Sequence, residues 1–323
     1  MGNEHEQLRP ATLVAAQNLR VDALIVDVVG ALRGAGIEPI VLKGPSTPHW
    51  LGADGARTYL DCDLLVSPGD QGTVERVLGE LGFRRYLDGV DLGERWLHSA
   101  VAWGRAEDEL VDVHESLDGV TVPPDELWER LSGHTVELTL GRTAVTILDR
   151  PATALTIALH AAQHGKDADK PLGDLAAALE RLDAPTWAAA AALAAELGAT
   201  PAFAAGLSLL PAGRATADSL ALSAERPTAV VLAAESAPPA AFTLEHLATR
   251  RGLRGKLAFI AGRAFPPAAF VRENYPFARR GRAALAAVYA ARFVAAPVRL
   301  VRAAPGWRRA RKLAAASHGH PAE

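Results

Sequence analysis

The chain has 323 residues, enough for about two domains, and 49% hydrophobic with 22% charged residues excludes wholesale disorder. Its single cysteine, Cys62, excludes a disulfide framework and a Cys-based zinc site, so any metal must use carboxylate or His ligands. The net charge of −3 is close to neutral, the stretch Met1 to Arg9 is polar without the apolar core of a signal peptide, and no run of about 18 uncharged apolar residues reads as a membrane span, so a cytoplasmic location is expected.

Leu13 to Leu32 carries apolar residues at helical spacing and predicts a helix, stopped by Gly34 and Gly36. Ile37 to Leu42 reads as a short buried strand, broken by Lys43-Gly44-Pro45-Ser46, with a short helix from Pro48 to Leu51. Tyr59 to Val66 is the next strand, ending at Ser67-Pro68-Gly69. Asp70 to Leu81 predicts an amphipathic helix capped by Gly82. Phe83 to Leu87, Trp96 to Trp103 and Leu110 to His114 are further strand candidates. Val136 to Leu140 and Thr143 to Leu148 form a hairpin about Gly141-Arg142.

After Pro151 strand signals become rare. Ala154 to His164, Leu172 to Leu182 and Thr186 to Leu197 predict helices, and 211–240, rich in Ala, Pro and Ser, reads as a loose connector. Basic helices follow, cut by Pro266-Pro267, Pro276, Pro297 and Pro305. The expected architecture is a mixed α/β module of residues 1–150 followed by an all-α module of residues 151–323. Between Arg250 and Lys312 stand 16 basic residues and one acid, Glu273, a balance of +15. Residues 1–249 hold 18 basic and 35 acidic groups, a balance of −17. The basic segment 250–312 therefore attracts a polyanion: nucleic acid or an anionic membrane in weak, sequence-independent contact, or the acidic body of the same chain.

Three pieces inside the α/β module carry chemistry. Leu42-Lys43-Gly44 is a strand end with a glycine turn. Asp61-Cys62-Asp63 leads into Leu64-Leu65-Val66, and Asp112-Val113-His114 lies on a later strand. Residues two apart on a strand face the same way, so Asp61 and Asp63 share a face, and Asp112 on a neighbouring strand completes a carboxylate triangle. Three carboxylates repel one another; a pair of Mg2+ ions, or Mn2+ in their place, relieves this and positions triphosphate oxygens. A glycine turn alongside lets backbone N–H groups approach a phosphate. The bland reading of Asp61 and Asp63 is a solvated strand edge, which the apolar run Leu64 to Val66 argues against.

In this order the motifs resemble the polymerase-beta-like nucleotidyltransferase superfamily, and more narrowly its family of uncharacterised bacterial nucleotidyltransferases. The resemblance rests on Leu42-Lys43-Gly44, Arg57, Asp61-Cys62-Asp63-Leu64-Leu65-Val66, Asp112-Val113-His114, His160 with His164, and Asp174-Leu175. It covers residues 37–182 well, and the Leu253 to Pro276 block also looks familial. The wider superfamily usually has Gly-Ser or Gly-Gly in its turn; here Pro45 separates Gly44 from Ser46 and removes one amide donor.

The resemblance implies a mixed sheet with flanking helices that transfers a nucleotide from an NTP, ATP in the first place, to an unknown acceptor. It implies Asp61, Asp63 and Asp112 as metal ligands, with Asp112 also helping to deprotonate the acceptor. Lys43, Gly44, Ser46 and Arg57 would then face the nucleotide, and His114 would orient a carboxylate or act as a base. The alternatives are a snorkelling Lys43 and a surface salt bridge at Arg57. His160 and His164 share a helix face at i, i+4, but Ala161 stands where a zinc protease needs Glu, so a nucleotide- or acceptor-facing role competes with plain packing. Lys170 and Asp174 are the weakest of the nucleotide-facing candidates. Two rivals stand beside this reading: a non-catalytic binding module of the same fold, and a phosphotransferase using the same three carboxylates.

Overall fold

The computed structural model describes residues 10–52, 57–86, 99–106, 109–223 and 225–317. The chain divides into two compact units, the first made of Met1–Arg85, Ala100–Ser116 and Pro123–Thr153, the second of Tyr86–Ser99, Leu117–Val122 and Ala154–Glu323.

In chain order the first unit contains α1 (Pro10–Gly34), β1 (Ile40–Val41), α2 (Ser46–Leu51), β2 (Cys62–Leu65), α3 (Gln71–Glu80), β3 (Arg84–Arg85), β4 (Ala100–Arg105), β5 (Glu109–His114), α4 (Pro124–Ser132), β6 (Thr135–Leu140) and β7 (Thr143–Leu148). A single turn of 3-10 helix, Pro68–Asp70, leads into α3. The seven strands make one sheet in the order β3-β4-β5-β2-β1-β7-β6. It is mixed: β2 runs parallel to β5 and β1 parallel to β7, while the β1–β2, β3–β4, β4–β5 and β6–β7 pairs are antiparallel. The β6–β7 hairpin turns on Gly141, whose φ of 61° suits a residue without Cβ.

Strand alternation decides which residues enter the core. Cys62, Leu64, Val111, Val113, Val145 and Ile147 pack with Ile25, Val28 and Leu32 of α1 and Val74, Val77 and Leu78 of α3. The intervening Asp63, Asp112 and His114 are thereby left to the opposite face of β2 and β5.

The second unit is helical. α5 (Arg150–His164) carries the chain into it and is followed by α6 (Asp169–Arg181), α7 (Ala184–Glu196), α8 (Thr200–Leu207), α9 (Pro211–Ser219), α10 (Thr228–Ala234), α11 (Pro239–Thr249), α12 (Leu253–Ala264), α13 (Ala268–Asn274) and α14 (Arg282–Ser317). Asp183 caps α7, its carboxylate accepting from the Thr186 N–H at 3.0 Å.

Several sequence expectations change. β1 has two residues instead of the six of Ile37 to Leu42, and β2 begins at Cys62, leaving Asp61 in the bend before it. The strand expected over Trp96 to Trp103 begins at Ala100, its residues 96–98 lying outside the described residues. α4 was hidden behind Pro123-Pro124, where Pro124 in fact occupies the first helical turn and Asp125 and Glu126 meet the helix's positive end. The expected connector 211–240 is instead α9, α10 and the start of α11. Pro211 and Pro239 begin helices, and Pro227 and Pro238 sit just before them, positions where a missing N–H costs nothing.

α14 runs unbroken through Pro297 and Pro305. By length and composition it is long and apolar enough to cross a membrane, with only 6% of its most apolar window buried inside the protein. Arg292 and Arg299 interrupt its apolar stretch, so it holds no uncharged run of about 18 residues.

Candidate active site

The site is built where β1, β2 and β5 lie side by side. The parallel register sets Asp63 opposite Asp112, two residues that project from the same face of neighbouring strands. Asp61 reaches the same place from the bend before β2, and one carboxylate oxygen from each of Asp61, Asp63 and Asp112 lies within 4.8 Å of the other two. Three acidic groups this close can hold a metal ion, and an all-carboxylate donor set suits a hard cation.

Charge is distributed unevenly over them. Asp63 is 4% exposed, and Oδ1 accepts from Lys43 Nζ at 3.2 Å and lies 3.0 Å from His114 Nε2. Burial pushes the Asp63 carboxyl up, but the Lys43 ammonium and the His114 contact outweigh it and hold it well below the usual carboxylate range. At Asp112 the same His114 and Lys43 act more weakly and are outweighed. Burial first, and then the Asp63 charge, push its carboxyl up to about 6. Cys62, between the two aspartates in sequence, points into the core, where burial pushes its thiol well above the ordinary value.

The turn beside the triad is held by its neighbours. Gly44 has φ 68°, a left-handed conformation that glycine adopts without strain. Ser46 is fully buried and donates to the Leu42 carbonyl at 3.0 Å, closing the turn. Arg57 Nη1 donates to the Gly44 carbonyl at 3.3 Å. The segment bearing Arg57 is in turn clamped by α1: Asn18 donates to the Arg57 carbonyl at 2.9 Å and accepts from the Tyr59 N–H at 3.2 Å, and Tyr59 Oη donates to Asp22 at 2.6 Å. Burial and the bond to Asp22 raise the Tyr59 hydroxyl.

Lys43, Gly44, Ser46, Arg57, Asp61, Asp63, Asp112 and His114 thus belong to the first unit. Sequence reasoning missed Asn18, Asp22 and Tyr59; Asn18 and Asp22 are two of several polar residues on α1, and nothing local sets them apart.

A family described as uncharacterised nucleotidyltransferases matches residues 2–212. The chain belongs to that family. Residues 213–323 lie beyond the matched span, and with them the Leu253 to Pro276 block that the sequence groups with the family. No curated protein matches the chain. Among solved structures it resembles the antibiotic-resistance factor ANT(2'')-Ia in solution, at 16% identity and TM-score 0.41, over 56% of this chain and 94% of that one. A crystal structure of ANT(2")-Ia with adenylyl-2"-tobramycin matches at 18% identity and TM-score 0.40, over 55% and 98% of the two chains. The lincomycin-bound lincosamide antibiotic adenylyltransferase LnuA matches at 11% and 0.35, over 50% and 97%. Membership of the family rests on the sequence match over residues 2–212.

The remaining candidates of the family pattern belong to the second unit. His160 and His164 meet edge to face on α5, ring centroids 4.4 Å apart. On α6, Lys170 is exposed and Asp174 half-buried.

Proposed function

We propose that the protein is a Mg2+-dependent nucleotidyltransferase that moves a nucleoside monophosphate from an NTP, ATP in the first place, to an acceptor hydroxyl. Its catalytic module would be residues 1–150 and its helical module residues 151–323. The observation that carries this reading is the convergence of Asp61, Asp63 and Asp112 within 4.8 Å beside the Gly44 turn, in a chain of a nucleotidyltransferase family.

Asp61, Asp63 and Asp112 would hold the metal, which when bound supplies charge neutralisation at the phosphate oxygens. The chain's own groups do the rest. Lys43 and His114 engage the same oxygen of Asp63 and so fix the rotation of its carboxylate. Asp112, held near 6 without metal, helps take the proton of the acceptor hydroxyl, since a base is most useful when its pKa lies near the working pH. The acceptor oxygen bonds to the α-phosphorus, the bond from that phosphorus to the bridging oxygen breaks, and pyrophosphate departs. The Gly44 turn and Arg57 face the triphosphate. His160, His164, Lys170 and Asp174 are assigned to the nucleotide or acceptor on the family pattern. Such a reaction depends on position and charge rather than on a nucleophilic side chain.

The test incubates the protein with Mg2+, host lysate and each of four NTPs labelled at the α- or the γ-phosphate. Transfer of the α-label to an acceptor, lost in Asp61→Asn and Asp63→Asn, is the expected result. Transfer of the γ-label instead would make the protein a phosphotransferase. No transfer, with no Mg2+-dependent NTP binding, would make it a non-catalytic module.

A further inference from the structure

We propose that the surface of α12 and α14 docks flat onto an anionic lipid bilayer, an activity separate from nucleotidyl transfer. Ten of the fourteen large apolar side chains exposed among the described residues fall between Leu253 and Leu313. On α14 they are ordered. Ala283, Ala287, Ala290, Val294, Val298 and Val301 are all exposed and recur at spacings of four and three, which places them on one face. That stripe runs for about 27 Å at 1.5 Å per residue. Val294 and Val301 are 71% and 72% exposed, and the adjacent Phe293 is 61% exposed. On α12, Leu253, Leu257 and Ile260 form a second exposed row at i, i+4 and i+7.

Charge selects the occupant. Arg279, Arg280 and Arg282 precede the stripe and Arg308, Arg309, Arg311 and Lys312 follow it, within a segment that holds a single acid. Apolar side chains framed by cations match the interface of a bilayer carrying acidic headgroups. A phosphate-tracking nucleic-acid surface leaves the exposed valines without a purpose, and two copies meeting through this face would bring two such cationic segments together.

Flat docking follows from what the other face of α14 already does. Val288, Ala303, Ala310 and Ala314 are buried. Tyr289 Oη donates to the Pro266 carbonyl at 2.6 Å, Arg292 Nη1 donates to Tyr275 Oη at 2.6 Å, and Trp307 Nε1 donates to Glu245 Oε2 at 2.7 Å. Crossing the bilayer would break these bonds and carry Arg292, Arg299 and Arg302 into hydrocarbon. Lying in the interface keeps them.

The test is flotation of the full chain with phosphatidylcholine vesicles, with or without 30 mol% phosphatidylglycerol. Binding to the anionic vesicles alone, weakened by salt, is expected. Val294→Gln with Val298→Gln, both at exposed positions and neutral, should leave the melting curve unchanged and weaken vesicle binding by about tenfold or more. Any binding of the parent to tRNA should be unchanged in this variant, since it retains every Arg and Lys and adds no charge. Three results would overturn the proposal: no flotation at low salt, flotation indifferent to the valine substitutions, or a parent dimer in analytical ultracentrifugation that those substitutions dissociate.

Discussion

Asp112 is one group through which pH acts on this site. Its folded-state pKa of about 6 lies above the ordinary 3.8. Between those values the native chain holds a proton that the unfolded chain has lost, so this residue's contribution to stability falls as pH rises through that window. Asp112→Asn should therefore raise the melting temperature of the metal-free protein at pH 7, by up to about 3 kcal/mol of stability. A lower melting temperature would assign Asp112 a structural bond instead. Protons also compete with metal at this carboxylate. Divalent-ion affinity, measured by calorimetry without nucleotide, should drop by about tenfold per pH unit below pH 6 and level off above it. Asp61 contributes to the upward push on Asp112, but burial is the larger cause. In Asp61→Asn the Asp112 pKa should thus fall only part-way toward 3.8, a shift that carboxyl-carbon NMR can follow.

At the scale of elements, the turn between β1 and α2 joins the site to the fold. Gly44→Ala meets Tyr59 Cδ2 only at an ordinary 3.5 Å, so its cost is the left-handed backbone, about 1–2 kcal/mol. It should weaken NTP binding more than it lowers the melting temperature, because Lys43 and the Arg57 anchor flank the turn. Asn18→Ala should do the same from a distance by releasing the Arg57 and Tyr59 backbone; unchanged NTP affinity would separate that clamp from the site. Such coupling was not legible in the sequence, since Asn18 and Arg57 are 39 residues apart and no local pattern links them. The strand–turn–Asp-x-Asp order, α1, α3 and the β6–β7 hairpin were legible, because periodicity and Gly punctuation are local signals. Proline misled where its place in a helix mattered more than its presence. At Pro124, Pro211 and Pro239 it starts helices, and at Pro297 and Pro305 α14 continues past it. The carboxylate cluster was foreseeable in part: Asp112 does stand beside Asp63 on a neighbouring strand, while Asp61, expected to share a strand face with Asp63 by the i, i+2 rule, joins them from the bend before β2.

For the molecule as a whole, a metal and nucleotide that bind only the folded chain must stabilise it. Mg2+ with NTP should add about 2.7 kcal/mol at one hundred times the dissociation constant, and either alone should add less. A melting curve unmoved by millimolar amounts of both would count against a nucleotide site anywhere in the chain. The lone thiol offers a second, independent view. Cys62 is fully buried, flanked in sequence by two of the triad carboxylates, and has no other cysteine to confuse its signal. Its resistance to alkylation is therefore a clock that starts only when β2 leaves the sheet. Timing that reaction with and without Mg2+ and NTP measures how often the core of the first unit opens, and whether added metal and nucleotide keep it shut.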